Sequence, residues 1–255
     1  MFMSVCLYLG ILALLVGCAI FILPLGRWKL TRLRGFVVAL VGLGLAALMV
    51  AWPAPEARPA PPGSRALNTF VPRYQFDEVH GIDIAASPDR AWDAILAVTA
   101  PEIRLFDTLT WLRRFGRPAP EGILNVPPRQ PILTVATRTT FITLAQSAPR
   151  EIVVGTVVIA PLSRRMTGHR LTSDEFVQWQ REPGIAVAAM DFHVEPSGSG
   201  SRVTTETRVF ATDDETSRQF AGYWRAIYPG SALIRRSWLR AIKTRAEAPE
   251  SASTP

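Results

Sequence analysis

Cysteine is almost missing from this chain: its 255 residues hold two, Cys6 and Cys18, and both fall in one apolar run. Whatever folds after that run has no disulfide staples, no thiolate nucleophile and no zinc–thiolate site, so packing alone must hold it together. Histidine is scarce as well, with His80, His169 and His193 the whole supply. Also absent are a phosphate loop, a dinucleotide glycine fingerprint, a G-x-S-x-G nucleophile elbow and an H-E-x-x-H helix. The expectation is therefore no nucleotide cofactor, no metal and no catalytic constellation legible as a motif.

Charge is missing from two long stretches. Phe2 to Leu25 and Gly35 to Trp52 contain no Asp, Glu, Lys or Arg, and each is long enough, or nearly so, to cross about 30 Å of hydrocarbon. They read as a transmembrane helical hairpin with spans at about 2–25 and 35–52. The short link holds Arg27, Lys29, Arg32 and Arg34 and no acid, which by the positive-inside bias places it in the cytoplasm and the rest of the chain outside it. Leu15-Val16-Gly17-Cys18 has the look of a lipoprotein box, but no basic segment precedes it and the apolar run continues past it, so an uncleaved anchor is expected. The net charge of +7 owes four charges to the link; beyond Trp52 there are 24 basic and 21 acidic side chains. Without a basic stripe interleaved with aromatics, nucleic acid is not an expected partner.

Pro53 to Pro62 holds five prolines in ten residues, the composition of an extended spacer, and residues 53–70 are predicted to be a proline-rich linker. From Val71 a folded domain is expected to run to Glu247, leaving 248–255 as a disordered tail. Tyr74, Phe76, His80, Ile82 and Ile84 alternate with polar residues as in a half-buried strand. Ser87-Pro88 then opens a helix, and a second short one is predicted at Ile103–Arg114. Strands are predicted at Ile132–Thr137, Thr140–Ala145, Arg150–Ile159, Ile185–Glu195 and Arg202–Thr212, with a glycine-rich hairpin link at Pro196–Gly200. In one of them Met190 and Phe192 share a buried face, while Asp191, His193 and Glu195 share a wetter one, so Asp191 is expected to be the more exposed. Metal binding by that trio is not expected, because ligands at alternate positions of a single strand splay apart.

Asp213 to Glu247 carries Phe220, Trp224, Ile227, Ile234, Trp238 and Ile242 along one side of a long helix, opened by a Thr212–Glu215 capping box and kinked at Pro229–Gly230. A stripe that wide needs a large apolar partner. The fold expected is α+β: a curved antiparallel sheet wrapped around the long C-terminal helix, enclosing apolar volume suited to a lipophilic ligand.

The segments VPRYQFDEVHGIDIAASPDRAWDAI, PREIVVGTVV and SRVTTETRVFATDDETSRQFAGYWRAIYPGSALIRRSWLRAIK resemble the SRPBCC superfamily, the START and Bet v 1-like helix-grip and polyketide cyclase-like proteins, and in particular its membrane-anchored bacterial members. The resemblance covers about Val71 to Ala246 and is most specific where ETRVFATD runs into the last helix. It implies a deep hydrophobic cavity, but no particular reaction, since the superfamily includes lipid carriers, hormone receptors, polyketide cyclases and oxygenase domains.

On this reading the cavity lining comprises His80, Met190, Phe192, Glu206, Arg208, Phe220, Trp224, Ile227 and Trp238, with the bilayer and a hydrophobic small molecule or lipid as partners. Glu206 and Arg208 stand two apart on one strand, either as a structural ion pair or as groups that orient a ligand's head. His80 is either a satisfied core histidine or an acid–base group. Three functions remain open: a carrier or binding module, a cyclase-like enzyme using His80, Glu206 or Arg208, and an interaction domain with a filled cavity whose docking surface is marked by Trp92, Phe106 and Trp111.

Overall fold

The computed structural model describes residues 2–24, 30–63, 65–162 and 171–249. His169, most of the basic link and the tail from residue 250 lie outside the described residues. The chain divides into two compact units, Met1–Ala54 with Ser217–Ser231, and Pro55–Thr216 with Ala232–Pro255.

The first unit contains helices α1 (Phe2–Ile22) and α2 (Arg32–Ala51), both long and apolar enough to cross a membrane. They pack through glycine. A Cβ built on Gly10, Gly17, Gly35 or Gly42 would lie 2.8, 2.2, 2.6 or 2.4 Å from backbone nitrogen of the opposing helix. Both pairs are seven residues apart, which keeps them on one seam and lets the backbones approach closely. Leu9, Leu12, Val16, Leu40 and Val41 point outward and are exposed.

The second unit is α+β. Its short first strand β1 (Arg58–Pro59) pairs with β2 (Arg73–Tyr74), and helix α3 (Ala66–Phe70) lies between them in sequence. Strand β3 (Phe76–Ile84), helices α4 (Pro88–Ala97), α5 (Phe106–Arg113) and α6 (Ile132–Thr139), and strands β4 (Ile142–Ser147) and β5 (Glu151–Ile159) follow. Then come helix α7 (Ser173–Trp179), strands β6 (Ala186–Ser197) and β7 (Gly200–Ala211), and helix α8 (Asp214–Glu247). The five long strands form one antiparallel sheet in the order β3-β7-β6-β5-β4. As the glycines suggest, β6 and β7 are joined by a tight hairpin in which Ser197 faces Gly200 and Gly198 takes φ +57°, a left-handed conformation that suits glycine.

One face of the sheet presents Ile152, Val154, Met190, Phe192, Val194 and Val203 to α4 and to Trp238, Leu239 and Ile242 of α8. The other is covered over its middle but open toward β3, where Val79, Asp83 and Arg202 are exposed. Leu144, Val153, Val187 and Ala189 pack there with Leu67 and Val71 of the α3 region and Phe176 of α7.

Several expectations are corrected. Ile132–Thr139 is a helix: Ile132, Leu133, Val135 and Ala136 are its buried positions, a helical spacing that its β-branched content obscured. Residues expected to form a spacer are partly built into the unit, with Leu67 wholly buried. Asp191 is 0% exposed, because α3 covers the sheet face expected to be wet. The terminal helix is capped by Asp213, whose side chain accepts the Thr216 N–H at 2.8 Å, one position later than the Thr212 box. Helix α8 is assigned without a break through Pro229, yet the unit boundary falls two residues later, after Ser231.

Candidate functional site

Two clusters of polar side chains occupy opposite faces of the five-stranded sheet, and the pleat explains why. Residue 206 of β7 pairs with Val79 and Asp191, whereas residue 205 pairs with His80 and Phe192. Odd positions of β7 therefore join His80, Met190 and Phe192 on the α8 face, and even positions join Asp191 on the α3 face.

On the α8 face, β3 projects Glu78 and His80 side by side. His80 Nε2 lies 2.8 Å from Glu78 Oε1, with the carboxylate side chain 1% exposed. Thr207 stands opposite Glu78 on β7. Across from them α8 contributes Arg235, its guanidinium carbon 5.8 Å from the Trp238 ring centre, and Trp238 in turn meets Phe192 edge to face at 5.1 Å. Burial holds the Arg235 guanidinium down to about 10, although the negative charge of Glu78 pulls the other way. Arg235 Nη1, Thr207 Oγ1 and Trp238 Nε1 are shut off from solvent and have no hydrogen-bond partner among the described residues. Buried polar atoms are ordinarily paired. These three atoms lie in the layer that also holds Met190, Phe192 and Ile242 and the Glu78–His80 pair.

On the α3 face the polar atoms bond mainly to one another. Arg65 pairs with Asp191 and donates to Glu206 Oε2 at 3.1 Å. Arg208, fully buried, donates to Glu206 Oε1 at 2.5 Å and to Asn68 Oδ1 at 2.8 Å, and lies over the Tyr74 ring. Asp191 Oδ1 also accepts the Glu206 N–H, and Glu151 accepts the Ala66 and Leu67 N–H groups at the start of α3. Burial pushes the Asp191 carboxyl up to about 7, against the pull of Arg65. This cluster fastens the segment leading into the domain onto the sheet.

The nine residues expected to line one cavity are thus divided. His80, Met190, Phe192 and Trp238 come together on the α8 face. Glu206 and Arg208 lie on the other side of the sheet, paired with each other, and Arg208 Nη2 is buried there without a hydrogen-bond partner among the described residues. Phe220, Trp224 and Ile227 belong to the first unit, where Phe220 stacks with Tyr223 and Trp224 at 5.7 and 5.8 Å. Of the groups marked for docking, Trp111 is 53% exposed whereas Trp92 and Phe106 are buried. His193 contacts Glu195 at 3.2 Å, and among the described residues no group of three or more His, Cys, Asp or Glu is placed to hold a metal ion.

The sequence reading passes over Glu78, Thr207 and Arg235. Glu78 has a signal, since it shares the parity of Phe76, His80 and Ile82 and is a charge at an inward position. Elsewhere, Glu102, Arg104, Ser237, Arg240, Ala241 and Thr244 line a surface cleft of about 340 Å³, beside the Arg245–Glu102 ion pair.

No family model matches this chain, and no curated protein does. Two solved structures are similar at low level. One is the protein TTHA0849 from Thermus thermophilus, at 12% identity and TM-score 0.27, covering 69% of this chain and 100% of its own. The other is Ara h 8.0201, at 9% identity and TM-score 0.24, covering 67% and 97%. At such scores neither likeness carries weight, and the α+β assignment rests on the sheet and helices themselves.

Proposed function

We propose that this chain is a membrane-tethered helix-grip module of the SRPBCC type that binds an amphipathic small molecule or lipid between the sheet and the Ala232–Ala246 part of α8. The observation that carries the reading is the pair of buried polar atoms without a partner among the described residues, Arg235 Nη1 and Thr207 Oγ1, in a layer that is apolar apart from them, Trp238 Nε1 and the Glu78–His80 pair. Ligand sites are typically apolar with a few placed polar groups that fix orientation. A guanidinium with a free N–H favours a ligand bearing a carboxylate or another acceptor at one end. The two apolar helices support a tether, with the basic link in the cytoplasm and the domain on the other side.

Native mass spectrometry of the full chain, released from mild detergent, tests this. The expected result is a co-purifying adduct that is lost from Arg235→Met and weakened in Thr207→Val, with both variants folded by circular dichroism. Chain without adduct, and without thermal shift across fatty acids and phospholipids, would sink the proposal.

The Glu78–His80 contact favours a second reading, in which the same site performs acid–base chemistry. A carboxylate hydrogen-bonded to one ring nitrogen fixes the tautomer and orientation of the imidazole. If the site turns a substrate over, the adduct on His80→Gln should differ in mass from the adduct on the native chain. Identical adducts would leave the carrier reading alone.

A further inference from the structure

The first unit contains more than the hairpin. Ser217–Ser231, the opening half of α8, is packed into it, and the contacts fix its level along the two apolar helices. Arg225 Nη1 donates to Met49 O at 3.0 Å and Val50 O at 3.2 Å, and its Nη2 donates to Pro53 O at 2.7 Å. These carbonyls lie at the C-terminal end of α2, where intrahelical donors run out. From α1, the Tyr8 hydroxyl donates to Ala226 O at 2.7 Å. Tyr8 is six residues into the sequence run of α1 from Phe2, about 9 Å along a helix. A Cβ on Gly222 would meet Val50 at 3.5 Å, so the two backbones run close there.

Ser217–Ser231 therefore sits beside the ends of two apolar helices, level with the C-terminal end of α2. Its own composition suits that depth. Phe220, Tyr223, Trp224 and Tyr228 follow at intervals of three, one and four residues and touch ring to ring at 5.6–5.8 Å. Tyr223 is 42% exposed, and the exposed Arg218 and Gln219 lie at the start of the helix. Tyr and Trp gather at membrane interfaces because a ring can rest among acyl chains while its polar atom stays hydrated. Arginine beside carbonyls at a span's end meets the need of both groups for partners in a region poor in water.

We propose that Ser217–Ser231 is a third membrane-contacting element, an aromatic-rich helix lying in the headgroup layer against the open end of the hairpin, with lipid as the partner of its outer face. The segment packs on two helices whose own exposed residues are apolar, and that neighbourhood identifies its occupant. This inference rests on the reading of α1 and α2 as membrane spans, and the test separates the two.

Full-length chain with Cys6→Ser and Cys18→Ser, carrying one new cysteine labelled with an environment-sensitive dye, is placed in phosphatidylcholine–phosphatidylglycerol nanodiscs. The positions are Tyr223→Cys, Leu12→Cys in mid-span and Glu195→Cys in the second unit. The Tyr223 label is expected to emit to the blue of the Glu195 label, to be quenched several-fold less by iodide, and to be quenched more by lipids with a nitroxide near the headgroup than by lipids with one near the bilayer centre. The Leu12 label should show the opposite lipid preference. A Tyr223 label as open to iodide as the Glu195 label, with Leu12 quenched by deep nitroxides, would overturn this proposal alone. Failure of the Leu12 label to meet lipid would overturn both.

Discussion

Asp191→Asn gives the sharpest test of the buried network on the α3 face. Three carboxylates, Glu151, Asp191 and Glu206, share that region with two guanidinium groups, those of Arg65 and Arg208. Arg65 is divided between two acids and Arg208 is engaged by Glu206, so full ionisation leaves one negative charge in excess. Desolvation of Asp191 outweighs the Arg65 attraction and the nearby charges of Glu206 and Glu151 add to it, so its carboxyl rises from the ordinary 3.8 to about 7. The sign follows from linkage. Between those two values the folded protein holds a proton that the unfolded chain has released, so this contribution is fully present below about 3.8 and is lost as pH rises through 7. A shift of that size corresponds to about 4 kcal/mol in all, of which about 3 kcal/mol falls between pH 5 and 8. Asparagine keeps the oxygen that accepts the Glu206 N–H and removes the titration. Urea unfolding of the full chain in detergent micelles, followed by near-ultraviolet circular dichroism, reads the difference. Relative to the variant, the native chain should lose about 3 kcal/mol from pH 5 to 8, a midpoint shift of about 1 M urea or more. Parallel pH curves, or a native chain that gains on the variant with rising pH, would refute the reasoning and mark Asp191 as an ordinary ionised partner of Arg65.

The α3 face also shows where reading the sequence stops. Alternation locates β6 and correctly buries Met190 and Phe192, but period two says only that adjacent side chains face opposite ways. It does not say whether the second face meets water, and a charge at Asp191 suggests water where there is none. Leu67 and Val71 supply the cover, and they follow a proline-rich stretch whose composition suggests an extended linker. The terminal helix makes a related point. Its apolar stripe from Phe220 to Ile242 is legible, and through Pro229 the helix runs on as one element from Asp214 to Glu247. Periodicity does not identify the partner, however, and the stripe serves two: the hairpin up to Ser231 and the sheet from Ala232. That division removes Phe220, Trp224 and Ile227 from the cavity set and leaves His80, Met190, Phe192 and Trp238. In Ile132–Thr139 the conflict lies between β-branched composition and helical spacing, and the spacing prevails because Ile132, Val135 and Ala136 all bury on one side. Glu78 and Arg235 escape notice for a different reason: an inward charge becomes meaningful only when the opposing element is known.

Phe192→Ala should cost about 3–5 kcal/mol in the same unfolding assay, because Phe192 is 1% exposed and abuts Trp238; a loss under about 1 kcal/mol would mean that the α8 face is loosely packed. Gly17→Ala should lower the thermal midpoint of the hairpin helices, read by far-ultraviolet circular dichroism in micelles, since its Cβ would fall 2.2 Å from Ala39 N. Gly44→Ala has open space around its Cβ and should be neutral or stabilising by up to about 1 kcal/mol, so equal effects at the two glycines would refute the glycine seam. The last prediction concerns sidedness. Arg27, Lys29, Arg32 and Arg34 fall in the sequence where α1 gives way to α2, whereas Arg225 binds carbonyls at the opposite end of the two helices, Met49 to Pro53. If the first end is cytoplasmic by the positive-inside bias, the chain that continues from Pro53 begins on the opposite side, and the Ser217–Ser231 helix returns to that same level. With two spans and no further apolar helix of that length among the described residues, alkaline phosphatase fused after Pro255 should be active. Changing all four basic residues of the link to glutamine should then yield mixed orientation and lower that activity, because the bias resides in those charges. Full activity in the quadruple variant would show that something other than the link sets the orientation, and an inactive fusion on the native chain would reverse the topology outright.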